Sequence, residues 1–131
     1  MADSFDLDLV QGETYTRTFA WRQADDSYAD LREYDLQAQI RQREDPRSQL
    51  LLDLAGYMVV TNEDAAANGG AGDGKFLVLL IPGRITAAME ARQFKAAAWD
   101  LFAIRTGAPD DSTRILHGDA RMDPAATDLA P

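Results

Sequence analysis

The sequence predicts an all-β protein, folded as an antiparallel sandwich of about seven or eight strands with one short helix. Three observations favour this fold class. Short segments alternate apolar and polar residues with a period of two, which is typical of strands with one solvated face. Turn-forming residues separate these segments, and the rhythm of strands and long helices that indicates a parallel sheet is missing from the sequence.

The first predicted strand occupies the N-terminal segment. Phe5, Leu7 and Leu9 share one parity, whereas Asp6 and Asp8 occupy the other. This alternation places the apolar side chains on the core face and leaves the carboxylates in water. The acidic outer face suits a strand at the edge of a sheet, where charge discourages further strand pairing.

A second strand is predicted over residues 13–22. Its aromatic residues Tyr15, Phe19 and Trp21 share one parity and threonines occupy the other, a composition that suits a half-buried pleated surface. Arg17 shares the aromatic parity. Its guanidinium must therefore reach solvent past the apolar side chains, pair with an acid, or lie near a strand end.

Residues 28–42, YADLREYDLQAQIRQ, fit either the start of an amphipathic helix or the entry to a strand. Leu36, Ala38 and Ile40 alternate with polar residues, whereas only the first and last of these three fit helical spacing. Pro46 closes the segment. The period of two is the better match, so a strand is predicted here, and this assignment decides the fold class.

The middle of the chain is predicted to contain three further strands. Residues 50–54 and 57–61 form apolar runs around Ala55-Gly56, a pattern that indicates a hairpin. Residues 62–74 are small, polar and glycine-rich, which indicates a flexible loop. The continuous apolar run over residues 75–81 is typical of a central strand or of one covered on both faces.

The C-terminal third is predicted to contain the only helix. Residues 84–98 are alanine-rich and favour a helix, with Thr86 as a possible cap, whereas the aromatic and β-branched residues that follow favour a strand. The interpretation is a short helix at about residues 86–92, followed by strands at about residues 96–105 and 113–122.

Length, charge and cysteine content limit the classes of protein. The 131 residues suit one domain, predicted over residues 1–123, with residues 124–131 as a C-terminal tail. A net charge of −9 and a pI near 4.4 disfavour binding to nucleic acid or to anionic lipid. The absence of cysteine excludes disulfides and thiolate chemistry.

Neither a signal peptide nor a membrane-spanning segment is predicted. The N-terminal residues lack a basic region followed by an apolar stretch. No apolar run approaches the length needed to cross a bilayer. The expectation is a soluble protein made in the cytoplasm.

Residues with catalytic chemistry are few. The single histidine, His117, lies in a predicted strand, where a surface or packing role is commoner than catalysis or metal binding. The glycines of residues 68–74 lack the spacing of a phosphate-binding loop. No metal site, cofactor or catalytic residue is predicted, and the chain is expected not to be an enzyme.

A series of short patterns occurs in a fixed order over about residues 5–123. They are Gly12-Glu13-Thr14, Asp30-Leu31 with Tyr34, Gln39-Ile40-Arg41, Gly74 and Phe76 with Val78 and Leu80, Thr86-Ala87-Ala88-Met89, Trp99-Asp100-Leu101, and Arg114 with Leu116 and Gly118. In this order they resemble the immunoglobulin-like domains of tailed-bacteriophage structural proteins, most of all the N-terminal domain of baseplate upper proteins.

The resemblance implies an immunoglobulin-like sandwich with a non-enzymatic role in the virion, as an adaptor in the tail, the baseplate or the tail-fibre attachment region. The implied partners are other virion proteins and copies of the same chain in a symmetric assembly, with no nucleic acid, membrane or small-molecule substrate. The predicted partner contacts are the first strand, through Phe5, Leu7 and Leu9, and the tail, through Pro124 and Leu129.

Other functions on the same sandwich stay open. A carbohydrate-binding or host-attachment module would need exposed aromatic rings, for which Tyr28, Tyr34 and Tyr57 are the candidates. A capsid decoration protein is a further possibility. A third alternative, with a different fold, is a small α+β hydrolase, which would need Asp100 and His117 within hydrogen-bonding reach of each other.

Overall fold

The structure, a computed structural model, describes residues 3–61 and 74–125. Within these residues the chain forms nine strands and one α-helix: β1 Asp3–Ser4, β2 Leu7–Val10, β3 Tyr15–Phe19, β4 Tyr34–Arg41, β5 Leu50–Asp53, β6 Met58–Thr61, β7 Phe76–Ile81, α1 Gly83–Ala87, β8 Ala98–Arg105 and β9 Ser112–Asp123. Short 3-10 segments connect some of them, at Leu31–Glu33, Leu54–Tyr57 and Ala91–Phe94.

The strands form two sheets, and the predicted all-β sandwich with one short helix is confirmed. The larger sheet has the order β1/β2–β9–β8–β4–β5, in which β1 and β2 follow one another along β9. The smaller sheet has the order β3–β7–β6. The apolar run predicted over residues 75–81 is the central strand of the smaller sheet, as its composition indicates.

One edge of the larger sheet departs from the antiparallel pattern. β1 and β2 run parallel to β9, with Ser4 opposite His117 and Leu7 opposite Ala120. The other strand pairs of the two sheets are antiparallel. Parallel neighbours cannot be joined by a tight turn, and here they are the first two strands and the last one. This edge therefore depends on contacts between the two ends of the described chain.

The alternation along the strands places the core between the two sheets. In β4, Ala38 and Ile40 are buried and Leu36 is half-buried, while the intervening glutamines face the other side of the sheet. In the neighbouring β8, Trp99 and Leu101 are buried in the same core. β4 pairs with β8 along its whole length, which confirms the strand predicted for the ambiguous segment.

The hairpin predicted around Ala55-Gly56 is wrong. β5 pairs with β4 in the larger sheet, whereas β6 pairs with β7 in the smaller sheet. The segment Leu54–Tyr57 connects the two sheets. Its first residue, Leu54, is buried, and Oδ1 of Asp53 accepts a hydrogen bond from the N–H of Ala55. The sequence signals a turn here, but the turn alone does not show which sheet each flanking strand joins.

The helix begins and ends earlier than predicted, and Thr86 does not cap it. α1 has Pro82 at its N-cap position without a side-chain hydrogen bond. Thr86 is fully buried inside the helix, where its Oγ1 accepts the N–H of Gly12 and lies 3.0 Å from the carbonyl oxygen of Glu13. The hydroxyl therefore ties the helix to the turn between β2 and β3.

Two sequence predictions fall largely outside the described residues. The predicted loop at residues 62–74 lies outside them except for Gly74, and residues 126–131 of the predicted tail do as well. β9 ends at Asp123, immediately before that tail. Within residues 3–61 and 74–125, no helix is both long enough and apolar enough to cross a membrane.

Candidate functional site

An open groove of about 810 Å³ crosses the outer face of the larger sheet. Its floor is formed by β4, β8 and β9. Residues 43–46, which follow β4, line the groove on one side, and Ser4 and Asp6 line it beyond β9. This volume is within the range of small-molecule binding sites in proteins.

Strand register places four polar side chains in one row across this floor. Ser4 lies opposite His117, His117 opposite Asp100, and Asp100 opposite Gln39. Opposed residues on neighbouring strands project from the same face of a sheet, and all four line the groove. The row crosses β1, β9, β8 and β4, and spans about 14 Å at the usual spacing between strands.

Asp100 is half-buried near the centre of the row. Burial raises its pKa above the ordinary value for aspartate, against the opposing influence of the nearby charges of Arg114 and His117. Its carboxylate accepts no hydrogen bond from the described residues. A partly desolvated carboxylate without a donor is costly to the fold, and such groups are concentrated at binding and catalytic sites.

The side of the groove next to β4 is held by hydrogen bonds. Arg41 donates to the carbonyl oxygen of Ser48 and to Oε1 of Gln39, both at 2.8 Å. Ser48 is itself buried, and its hydroxyl lies within hydrogen-bonding distance of the carbonyl oxygens of Arg43 and Asp45. These bonds fix the loop that borders the groove.

The row contains the residue types of a serine hydrolase, but they are not linked. Asp100 and His117 are direct neighbours, as the hydrolase hypothesis requires, and Ser4 extends the row. Nucleophilic catalysis needs hydrogen bonds from serine to histidine and from histidine to the acid. Among the described residues no hydrogen bond joins these three side chains, and no cluster of three or more metal-binding side chains occurs.

The first strand, which was predicted to contact partners, packs inside the chain. Leu7 and Leu9 are 0% and 2% exposed and belong to the core. Phe5 is half-buried, with its ring edge-on to Phe19 at 5.1 Å. The Arg17 guanidinium lies 5.0 Å from the Phe5 ring centroid, so the aromatic face is the path by which this arginine reaches solvent.

The tail residues that were predicted to contact partners lie at the limit of the described chain. Pro124 is exposed directly after β9, and Leu129 lies outside the described residues. The N–H of Ala125 donates to Oε1 of Gln11 at 3.1 Å, which ties the start of the tail to the turn after β2. Partner contacts through the first strand and the tail stay predictions.

Between β1 and β2 the chain fits closely against β8 and β9. The carbonyl oxygen of Phe5 accepts a hydrogen bond from Nε1 of Trp99 at 2.7 Å. A Cβ atom at Gly118 would overlap this carbonyl oxygen, so the close approach requires glycine. Asp6 Oδ1 accepts the N–H of Asp119 at 2.9 Å, and this bond is the main reason that the pKa of Asp6 is lowered.

At the opposite side of the sandwich, both sheets end in apolar strands. β5 is the last strand of the larger sheet and β6 the last strand of the smaller one, and four residues separate them. Val59 is 63% exposed and Leu50 is 41% exposed. We call this pair, β5 and β6, the double edge. The hairpin hypothesis did not predict the double edge. In a hairpin, β5 and β6 would pair with each other and so satisfy each other's backbone groups.

The tyrosines proposed for carbohydrate binding lie in separate surroundings. All three are half-buried. Tyr28 packs against Phe76 with ring centroids 5.8 Å apart, Tyr34 packs edge-on against Trp21 at 5.3 Å, and Tyr57 packs against the core. None of the three lines the groove.

Fold and surfaces together define an all-β sandwich domain with a polar groove on one sheet and an apolar double edge. No protein-family model matches the chain, and no curated protein matches it. The resemblance to phage domains therefore stays a prediction, carried by the sequence patterns alone.

Proposed function

We propose that the chain is a non-enzymatic adaptor of a bacteriophage virion, in the tail, the baseplate or the tail-fibre attachment region. The observation that supports this proposal is the double edge, where the last strand of each sheet exposes an apolar side chain, Leu50 on β5 and Val59 on β6. The sequence resemblance to tailed-phage immunoglobulin-like domains supports the same role.

An edge strand offers unpaired N–H and C=O groups to an extended segment of another protein. At the double edge these groups belong to two strands that lie only four residues apart in the chain. Each sheet could therefore accept one partner segment. Two linked contacts give a higher apparent affinity than either alone, without any catalytic group.

The charge distribution favours contact at this edge, including contact between copies of the chain. The net charge of −9 makes copies repel one another. Among the eight residues of β5 and β6 the only ionisable side chain is Asp53. Electrostatic repulsion between copies is therefore weakest at these strands, where Leu50 and Val59 offer apolar area. Repeated copies in a symmetric tail structure require such a contact.

The first strand has a different role in this proposal from the one that the sequence suggested. Leu7 and Leu9 stabilise the adaptor itself, because they are buried in its own core. They would reach a partner only if the strand left β9. Contacts through Pro124 and Leu129 remain part of the proposal.

The proposal is tested on purified particles of the phage that encodes the chain. Mass spectrometry should detect the chain in the particles, and electron cryomicroscopy should place the sandwich in the tail, the baseplate or the fibre joint. If purified particles contain no peptide from this chain, the proposal is wrong.

A matched pair of variants tests the double edge within the same particles. Lysine on an edge strand opposes strand addition, so the double variant Leu50→Lys, Val59→Lys should no longer be incorporated. Leu80→Lys is the control, since Leu80 is similarly exposed, at 44%, but lies on the central strand β7. Equal incorporation of the two variants would show that the double edge is not the contact.

A further inference from the structure

We infer that the groove on the outer face of the larger sheet binds a neutral, polyhydroxylated ligand, a short linear oligosaccharide. The inference is independent of the adaptor role, because no residue of the double edge lines the groove. It also differs from the tyrosine platform considered from the sequence, since none of those rings lies in the groove.

The dimensions of the groove fit a short chain of sugars. Ser4, His117, Asp100 and Gln39 form a row that advances by one strand spacing per side chain, about 4.8 Å. This spacing is close to the length of one pyranose unit in a linear polysaccharide. A ligand lying across the strands would therefore present successive sugars to successive side chains of the row.

The hydrogen-bonding groups of the row suit hydroxyl ligands. A sugar hydroxyl both donates and accepts, and the row offers a carboxylate acceptor, an imidazole, an amide and a hydroxyl. The Asp100 carboxylate has no donor among the described residues, and a ligand hydroxyl would supply one. The amide oxygen of Gln39 accepts a hydrogen bond from Arg41. This bond fixes the orientation of the Gln39 amide, and therefore the direction of its NH₂ group.

The charged side chains that line the groove are of both signs, five carboxylates and three arginines. They are Asp6, Glu44, Asp45, Asp100 and Asp119 against Arg41, Arg43 and Arg114. Asp6 and Asp119 are in turn paired with Arg121 at 3.2 and 3.3 Å. A polyanion would meet carboxylates throughout and a polycation would meet the three arginines, so a neutral ligand is favoured.

Phe102 supplies an apolar surface on the same floor. It is half-buried, lies two residues from Asp100 on β8, and is opposite Gln37 and Arg114 on the flanking strands. An aromatic ring packs against the C–H face of a sugar while neighbouring polar groups bind the hydroxyls. The floor therefore combines the apolar contact and the polar contacts that such a ligand requires.

The test is an NMR titration of the full chain with maltotriose, cellotriose and triacetylchitotriose at millimolar concentration. At least one trisaccharide should shift the backbone amide signals of Asp100, Arg114 and His117, with a Kd in the micromolar to millimolar range. If none shifts these signals, or if the shifts lie outside the groove, the inference is wrong.

Variants then assign the binding to the row. Asp100→Ala should weaken the affinity by about tenfold or more, the loss of one charge-assisted hydrogen bond. Asp35→Ala is the matched control, since Asp35 is exposed on β4 and does not line the groove. Arg114→Ala, at an exposed position, should also weaken binding. It replaces Asp100→Ala in the test if that variant fails to fold. Unchanged affinity in the folded groove variants would overturn the inference.

Discussion

The N-terminal edge of the larger sheet, formed by β1 and β2 along β9, differs chemically from the double edge on the other side. β2 and β5 both contain four residues. β2 buries Leu7 and Leu9 and exposes Asp8 and Val10, whereas the double edge exposes Leu50, Asp53 and Val59, the last of these at 63%. The N-terminal edge is also divided into two short strands along one neighbour, β9, whereas β5 and β6 are the edges of two different sheets.

This difference shows how one sandwich protects one edge and leaves another available. Short strands and charged side chains at a sheet edge oppose the addition of further strands. The strands of both edges are short. Only the N-terminal edge also carries a cluster of charged side chains, with Arg121 joined to Asp6 and Asp8 at 3.2 Å on its solvent side. The double edge exposes Leu50 and Val59 instead, which is why partner contact is proposed there.

The largest expected effect is on the free energy of unfolding when the N-terminal edge loses a buried leucine. Leu7→Ala should destabilise the chain by about 2–5 kcal/mol, because Leu7 is fully buried and its removal leaves a cavity. Leu50→Ala at the double edge should change stability by no more than about 0.5 kcal/mol. Urea denaturation measures both, and similar losses would contradict the contrast between the edges.

A pair of glycines gives the next largest effect. Gly118→Ala places a Cβ against the carbonyl oxygen of Phe5, so either β1 or β9 must shift, at a cost of about 1–3 kcal/mol. Gly56→Ala, in the segment between β5 and β6, meets no atom within 4 Å. It should leave stability unchanged or raise it by up to about 1 kcal/mol. Thermal unfolding of the two variants should separate them, and an equal melting temperature would count against the close fit.

Trp99→Phe tests the hydrogen bond that holds the residues between β1 and β2. The carbonyl oxygen of Phe5 loses its indole donor, which should cost about 1–2 kcal/mol while the aromatic packing largely remains. Amide hydrogen exchange should accelerate at Phe5, whose N–H donates to His117, and not in β5. Unchanged protection at Phe5 would show that the indole is dispensable there.

The smallest expected effect is a pH dependence confined to the N-terminal edge. The amide of Asp119, and then Arg121, lowers the pKa of Asp6 below its ordinary value. The folded state therefore favours the ionised carboxyl, and this stabilisation is present above the unfolded pKa and lost as the pH falls through the folded one. NMR titration of the carboxyl should show the lowered pKa. Asp6→Asn should remove the acid dependence of amide protection in β1. If neither lowering the pH nor the Asp6→Asn substitution changes this protection, the Asp6 carboxylate does not stabilise the edge.

The sequence predicted the strands better than their partners. The alternation around Leu36, Ala38 and Ile40 identified β4 and its buried face, because the period of two is a property of the strand itself. The hairpin at Ala55-Gly56 was wrong because a turn signal is compatible with either a hairpin or a crossover between sheets. The helix was placed near its position, but the buried role of Thr86 depends on Gly12, a residue distant in the chain.

The candidate site was only partly predictable. The sequence identified Asp100 and His117 as a possible pair, and the register makes them neighbours. Ser4 was not considered, because its position opposite His117 follows from the parallel pairing of the first strand with the last. The groove itself needs the loop at residues 43–46 folded beside the sheet, and no local pattern indicates that arrangement.

By itself the sequence determined most of the strand segments and which of their side chains face the core, since both follow from the local alternation of apolar and polar residues. Only the tertiary structure decided which sheet each strand joins, that β1 and β2 run parallel to β9, and that four polar residues from distant segments share one row. Strand pairing is a competition among all strands of the chain, and its outcome depends on the packing of the whole sandwich rather than on any one segment.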